Sequence, residues 1–303
     1  MSRPELEVVI VSHGAPGLLR NCLLSLRQHP PSVPMRVTVV DSGSPDETPD
    51  MVAAEFPDVR LLRLGNVGFS AANNEVLGEA TSPRAGAGSE GPAMYLLLNP
   101  DTEVRAGTLD AAITRLGSDD SIGMVGVRLT TPDGGFDHAS KRAFPTPLSA
   151  LAHFSGIGRL RSAPTPLSQY RATWLDEDDP GPVDAVNGAF MLVRREALRQ
   201  VGPLDEGYWL YMEDLDWCRR FGEAGWTVIY EPAGEALHVK GGSSPDRRRL
   251  RQEIAFHRGM GRFYRRFDAP GNPGLLNLLV YLGIGAKLAS SLLISWCRSV
   301  CRP

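Results

Sequence analysis

The stretch from Asp205 to Trp217 sets Asp205, Glu206, Glu213, Asp214 and Asp216 among Tyr208, Trp209, Tyr211 and Trp217. A carboxylate held against an apolar wall is suited to taking a proton, because desolvation raises its affinity for one. The same acids also suit the first turn of a helix, where unpaired N–H groups and the helix dipole favour negative charge. That helix is expected to run to about Glu223 and to end at Gly225. Asp216 reads as a helix acid, and Tyr208, Trp209 and Tyr211 as core aromatics or as faces for stacking a ligand ring. Two further acids end predicted strands: Asp41 closes RVTVVD, and Asp101 follows MYLLL in Asn99-Pro100-Asp101. Ligands of parallel sheets bind outside the carboxyl ends of the strands, so Asp41 and Asp101 can meet in one crevice.

The elements that must position these groups follow from periodicity. Val8–Ser12, Arg36–Asp41, Val59–Leu64, Met94–Leu98 and Ile122–Leu129 are short continuous apolar runs, the pattern of strands buried on both faces. Helical spacing marks Leu18 to Leu26, a helix from Asp46 or Thr48 through Phe56, Ser70–Ala80 and Ala106–Leu116. Alternation of this kind predicts a mostly parallel, Rossmann-like twisted sheet with helices on both faces. The segment 131–182 has no lasting period and reads as a long excursion over the site, with a short helix near Leu148–Phe154. A turn into a strand follows at Val186–Val193, then a helix at Arg195–Val201 and strands at Trp226–Tyr230 and Ala236–Val239. Residues 246–267 predict a basic helix on which Arg258, Arg262 and Arg266 share a face. Leu275–Trp296 is apolar and long enough to span a bilayer, but Lys287 interrupts it and its polar residues gather on one side, which favours an interfacial helix.

The bulk numbers exclude several classes. A net charge of −3 provides no global field for nucleic acid. The cysteines, Cys22, Cys218, Cys297 and Cys301, form no C-x-x-C pair, so zinc and redox roles are not expected and a reducing compartment is. No charged-then-apolar leader precedes the first strand, so no signal peptide is expected.

In chain order, VVIVSHG, VVDSGSPDET, GNVGFSAANN, LLLNPDTEV, NGAFMLVRREAL, GPLDEGYWLYMEDLDWCRRFGEAGW and LHVKGGSS together resemble glycosyltransferase family 2, and within it the bacterial rhamnosyltransferase-like branch. The resemblance covers about Glu7 to Ser244. It implies a GT-A fold, transfer of a sugar from a nucleotide-sugar to a hydroxyl with inversion, and use of Mg²⁺ or Mn²⁺. It divides the chain into a catalytic domain at 1–245 and a C-terminal helical extension at 246–303, which the interfacial reading of Leu275–Trp296 makes a candidate for membrane association. Within the domain, 1–130 is the nucleotide-binding half and 183–245 the acceptor half.

The residues can be fitted to that reaction part by part. Asp41 can accept a bond from the base, with Ser12 and His13 bordering its pocket; a simple turn with Ser42 and Gly43 is the alternative. Asn66, Gly68 and Asn73 lie in the run beside the nucleoside and sugar, where Gly68 permits close approach; an ordinary helix start also explains the asparagines. Asp101 is the metal ligand on offer, and Asn99 stands where the family often has a first acid. The resemblance makes His238 a second ligand or a diphosphate contact, and Lys240 and Arg258 can add charge against the leaving diphosphate. By resemblance Asp214 is the base, and Glu213 orients the acceptor or is structural. The donor that the resemblance favours is dTDP-rhamnose, the acceptor a glycan or polyprenyl-diphosphate-linked saccharide, and the location the inner face of the cell membrane. A sugar nucleotidyltransferase predicts a charged phosphate loop after the first strand, where the chain reads Ser12-His13-Gly14-Ala15-Pro16. A non-catalytic binding module predicts a damaged acid set, of which Asn99 is the one hint.

Overall fold

Four parallel strands build the first half of the sheet: β1 (Leu6–Ser12), β2 (Met35–Ser42), β3 (Arg60–Leu64) and β4 (Met94–Leu98). They are joined by α1 (Pro16–Gln28), α2 (Thr48–Glu55) and α3 (Phe69–Thr81). After β4 come β5 (Thr102–Val104), α4 (Thr108–Gly117), β6 (Ile122–Thr130) and the two-residue strands β7 (Lys141–Arg142), β8 (Gly181–Pro182) and β9 (Ala185–Val186). The second half continues through β10 (Phe190–Arg194), α5 (Arg195–Val201), α6 (Glu213–Glu223) and β11 (Thr227–His238). Two helices, α7 (Asp246–Phe263) and α8 (Gly274–Val300), end the chain. This computed structural model describes residues 5–81, 91–146, 171–239 and 246–300; the predicted helix at 148–154, Lys240 and the run 241–244 lie outside them.

Among the described residues the main sheet has nine strands in the order β3-β2-β1-β4-β10-β6-β11-β5, with β8 added on β11. Side chains alternate across a strand, and β4 shows it. Leu96 and Leu98 join the core that holds Leu19 and Leu23 of α1, Val52 of α2 and Leu109 of α4. Tyr95 and Leu97 join the opposite core, with Leu77 of α3, Leu198 of α5 and Trp217 and Phe221 of α6. Helices therefore cover both faces, which is why these strands read as unbroken apolar runs.

The sheet is mostly parallel, as expected, and it also takes in antiparallel strands. β10 runs antiparallel between β4 and β6, and β5 runs antiparallel on β11. Strand–helix alternation does not reveal this, because β10 is entered from the long excursion and not by a helical crossover. The two runs expected at 226–230 and 236–239 are one strand, β11, with a register shift between Glu231 and Glu235. Pro232 and Gly234 lie in that irregularity, and they break the apolar pattern without ending the strand.

The C-terminal helices are not a detached tail. α7 packs on the 205–212 segment: Arg262 pairs with Asp205 at 2.8 Å, and Arg266, in the turn that follows, pairs with Asp205 at 2.9 Å. Gly259 sits where a side chain would press on Tyr211 and Met212. α8 joins this assembly through Asn277, whose Oδ1 accepts from the Tyr264 hydroxyl at 2.6 Å. Its Gly274–Leu293 stretch is long and apolar enough to cross a membrane, and Leu275, Leu278, Leu279, Leu282 and Leu293 are exposed on it.

Candidate active site

The strand directions place Ser12, Asp41, Asn99, Asp101 and His238 along one edge of the sheet. β1, β2, β4, β6 and β11 all end there, while β10 and β5 start there. Ser12 and Asp41 are register partners at that edge. Asn99–Asp101 crosses the strand ends from β4 to β5, and the Asn99 N–H donates to Ala189 O at 3.0 Å. The next residue back, Gly188, donates its N–H to Asp214 Oδ2 at 3.2 Å. His238 ends β11 opposite Thr102 of β5, so β-pairing itself carries His238 to Asp101.

On the β1–β2 side the groups are held by turn chemistry. Asp41 is buried; its carboxylate accepts from the Ser44 hydroxyl and, at 3.2 Å, from the Ser44 N–H. Ser44 Oγ in turn accepts from Gly14 N at 2.7 Å, tying the two strand ends together. His13 Nδ1 lies 2.8 Å from Ser42 O and its Nε2 lies 3.3 Å from Asn66 Nδ2. Those partners fix the tautomer: Nδ1 donates to the carbonyl and Nε2 accepts from the amide. Ser12 is fully buried, and Asn66 is exposed. Gly68 is needed for a close approach, but the group that approaches is Trp209: at φ 94 a Cβ would collide with its indole and carbonyl. Asn73 is buried and donates to Phe69 O at 2.9 Å within its own helix, while Asn74 clasps Leu204 through both its amide and its carbonyl.

Between β5 and β11 lies a second cluster. His238 Nε2 is 3.4 Å from Asp101 Oδ1, and its Nδ1 is 3.5 Å from Asp137 Oδ2. Burial disfavours the imidazolium, but bonding to Asp101 and Asp137 outweighs it and raises His238 to about 8. The buried Asp101 Oδ1 makes no hydrogen bond among the described residues beyond that approach. Asn99 is half-buried, and its carbonyl accepts from Thr102 N at 3.1 Å.

The third cluster stands at the start of α6. Tyr211 and Met212 both have left-handed φ values, 70 and 73, rare for residues with side chains. This turn delivers Glu213 and Asp214 to the first positions of the helix. Asp214 Oδ2 is 2.6 Å from Arg142 Nη2, and its Oδ1 accepts from Leu215 N at 2.8 Å. Glu213 is buried, and its Oε2 bonds to none of the described residues. Burial first, and the adjacent Asp214 charge second, push Glu213 up to about 8. Burial and the neighbouring Asp214 thus both favour a proton on Glu213, while Asp214 itself is paired with Arg142.

Asp216 does more than serve a first turn. It is fully buried and accepts from Tyr208 OH at 3.2 Å, Arg220 at 2.7 Å and Arg266 at 3.1 Å. Tyr208 thereby belongs to the core, while Tyr211 is exposed at an edge-to-face contact with Phe256 of α7. The α7 arginines that reach this region are Arg251, 4.1 Å over the Trp209 ring, and Arg262; Arg258 is exposed. Two residues that face the site, Asp137 and Arg142, come from the excursion. Their one signal in the sequence is isolated charge among small and aromatic residues, in GGFDHASKRAF.

A family model described as glycosyl transferase family 2 matches residues 7–202. An N-acetylglucosaminyl-diphospho-decaprenol L-rhamnosyltransferase of Mycobacterium tuberculosis is 33% identical over 213 residues, 70% of this chain and 68% of that protein. A rhamnosyltransferase of Escherichia coli is 45% identical over a shorter 56 residues, 18% of this chain and 21% of that protein. Among solved structures, a mannosyltransferase of Pyrobaculum calidifontis in complex with GDP-Man and Mn²⁺ superposes with a TM-score of 0.54 at 18% identity, covering 100% of this chain and 82% of that one. GalNAc-T7 with UDP, GalNAc and Mn²⁺ also gives 0.54, at 16% identity, over 79% of this chain and 45% of that one. With this sheet, its helical layers and these matches, the chain belongs to glycosyl transferase family 2 and is a glycosyltransferase.

Proposed function

We propose that the protein moves L-rhamnose from dTDP-rhamnose, with inversion, onto a hydroxyl of a saccharide carried on a polyprenyl diphosphate, in cell-surface glycan synthesis. The donor and acceptor classes rest on likeness to the mycobacterial rhamnosyltransferase, whose name states both the sugar and the lipid-linked N-acetylglucosamine. The observation that carries the chemistry is the adjacent pair at the start of α6, Asp214 paired with Arg142 and Glu213 buried beside it, on the sheet edge that also holds Asp41 and Asp101.

In this reading Asp41 accepts from the base, and Ser12, His13 and Asn66 border the nucleoside. The acceptor hydroxyl attacks the anomeric carbon opposite the diphosphate; its proton passes to Asp214 as the new C–O bond forms and the bond to the diphosphate breaks. A positioned general base contributes about 10²–10⁴ in rate. Asp101 and His238 fit a divalent ion: one carboxylate oxygen there lacks a hydrogen bond, and the imidazole beside it can exchange its proton for a metal. Among the described residues no three His, Cys, Asp or Glu side chains are grouped to hold a metal alone. That suits Mg²⁺ or Mn²⁺, which take one or two protein ligands and complete their shell with phosphate and water. When bound, such an ion supplies positive charge to the leaving diphosphate.

We place the protein at the cytoplasmic face of the membrane, with α8 lying on the lipid through its exposed leucines and Lys287 near the headgroups. A thermal-shift panel of dTDP-rhamnose, UDP-sugars and GDP-sugars, each with and without Mn²⁺, tests the donor. A ligand at a hundred times its Kd stabilises by about 2.7 kcal/mol, so the matching base stands out. The largest shift is expected for dTDP-rhamnose with Mn²⁺, and a larger one for a UDP- or GDP-sugar reassigns the donor.

A further inference from the structure

We infer that Arg142 is a positioning residue for sugar transfer. By bridging the Val186 carbonyl and the Asp214 carboxylate, it fixes which of two adjacent carboxyls receives the acceptor's proton. The inference rests on Asp214 being the base.

The geometry is specific. β7 and β9 form a two-stranded ladder in which Arg142 lies opposite Ala185, so the guanidinium extends over the β9–β10 turn toward α6. One nitrogen, Nη2, donates to Val186 O at 2.5 Å and to Asp214 Oδ2 at 2.6 Å. The same carboxylate oxygen accepts from the Gly188 N–H at 3.2 Å, and Oδ1 from the Leu215 N–H at 2.8 Å. Arg142 is buried, with its side chain 10% exposed, and a buried guanidinium needs an anion beside it. Asp214 is that anion. Glu213, its immediate neighbour, is buried, and two adjacent carboxyls in so dry a place resist both being charged. The cation therefore selects Asp214 as the ionised member and leaves Glu213 protonated. A planar guanidinium can also hold the carboxylate in a fixed direction, which a point-charge ammonium does poorly.

Among the described residues, the other ionisable groups around α6 do not duplicate this role. On the helix itself, Glu213 and the buried thiol of Cys218 face the same carboxylate. Asp216 is bonded instead to Tyr208, Arg220 and Arg266. From α5, β6 and β11, which also pack on α6, Leu198, Met124 and Val228 enter the core there.

The test is the pH profile of kcat for wild type, Arg142→Gln, Arg142→Lys and Asp214→Asn, with donor-nucleotide affinity and Tm measured alongside. Arg142→Gln is expected to lower kcat at neutral pH by about tenfold to a hundredfold. Its acidic limb is expected to move up by one pH unit or more, so that activity recovers as the pH rises, while nucleotide affinity holds. Arg142→Lys restores the charge and is expected to return the limb toward wild type with only part of kcat. An unmoved acidic limb in Arg142→Gln, with kcat falling in step with Tm, overturns the inference in favour of a purely structural arginine. An equal loss of nucleotide affinity overturns it in favour of a donor contact. Should Arg142→Gln fail to fold, wild-type kcat in Arg142→Lys overturns it, since a rotatable ammonium does not fix the carboxylate as a planar guanidinium does. An active Asp214→Asn removes the base reading itself; an inactive one beside an unmoved Arg142→Gln profile removes only the role of Arg142.

Discussion

The two sides of the site are held together by different physics. Around Asp41 the bonds are short in sequence or join neighbouring strand ends: Asp41 to Ser44, Ser44 to Gly14, Asp46 to Thr48 and Ala15. Most partners there are neutral. Around Asp214 the bonds are charged and, apart from the one-turn pair Arg220 to Asp216, long in sequence: Arg142 to Asp214, Arg262 and Arg266 to Asp205, Arg266 to Asp216. The sides meet where Trp209 lies on Gly68 and its carbonyl accepts from Phe69 N at 2.8 Å. A buried ion pair adds little net stability over an apolar pair, yet removing one partner is costly, because the other charge is stranded. The β1–β2 side should therefore tolerate substitution with modest losses, and the α6 side should not.

Asp214→Asn gives the largest expected effect. It keeps the shape and removes the base, so transfer should fall by about 10²–10⁴ while nucleotide affinity holds. Isothermal titration with dTDP alongside a transfer assay separates the two, and retained transfer excludes Asp214 as base. Asp216→Ala comes next, on stability. It leaves Arg220 without a carboxylate partner, takes one of two carboxylates from Arg266 and leaves the Tyr208 hydroxyl without its acceptor, so unfolding should become easier by about 3 kcal/mol. Chemical denaturation reads this directly, and a loss below about 1 kcal/mol would show that the network is not what holds the α6 side.

The same contrast explains what could be read in the sequence. From β1 to β6 each apolar run became a strand and each helical spacing a helix, because both faces of that sheet are covered and the pattern has one solution. Turn residues such as Asp41, Ser44 and Asp46 were legible because their partners lie nearby. Arg142, Asp137, Arg262 and Arg266 were not: their partners lie on other elements, and no local period records a long-range ion pair. Helical spacing puts Arg258, Arg262 and Arg266 on one face of the basic helix, but sequence alone cannot show that Asp205 lies beneath it. The antiparallel insertion of β10 was hidden for a similar reason, since strand order is a tertiary fact.

Glu213→Gln should show a smaller effect that depends on pH. The folded chain holds a proton on Glu213 up to about 8, whereas the unfolded chain releases it near 4.5. The stability due to this group is whole below the lower value and drains away as the pH rises through the upper one, by at most about 1.4 kcal/mol per pH unit. His238, raised from 6.5 to about 8, adds a slope of the same sign between those values, and it remains in the variant. The informative quantity is therefore the difference between the two Tm–pH curves in chelator-treated protein. Wild type should lose stability more steeply than Glu213→Gln between pH 5 and about 8; parallel curves would mean that Glu213 is already ionised at neutral pH.

Asp41→Ala should give the smallest effect and sharpens the contrast most. The carboxylate is buried, but its protein partners are the Ser44 hydroxyl and amide, and that hydroxyl also bonds to Gly14 N at 2.7 Å. Losing Asp41 strands no charge on a neighbour, so the fold should lose about 1 kcal/mol, the worth of an ordinary hydrogen bond. The donor should suffer more than the fold. If the base of the nucleotide bonds to Asp41, kcat/KM for the donor should drop about tenfold, close to 1.4 kcal/mol, with most of the loss in KM, because that contact is the same in the ground and transition states. A fall in kcat as deep as that of Asp214→Asn would erase the boundary between the two sides and make Asp41 part of the chemistry.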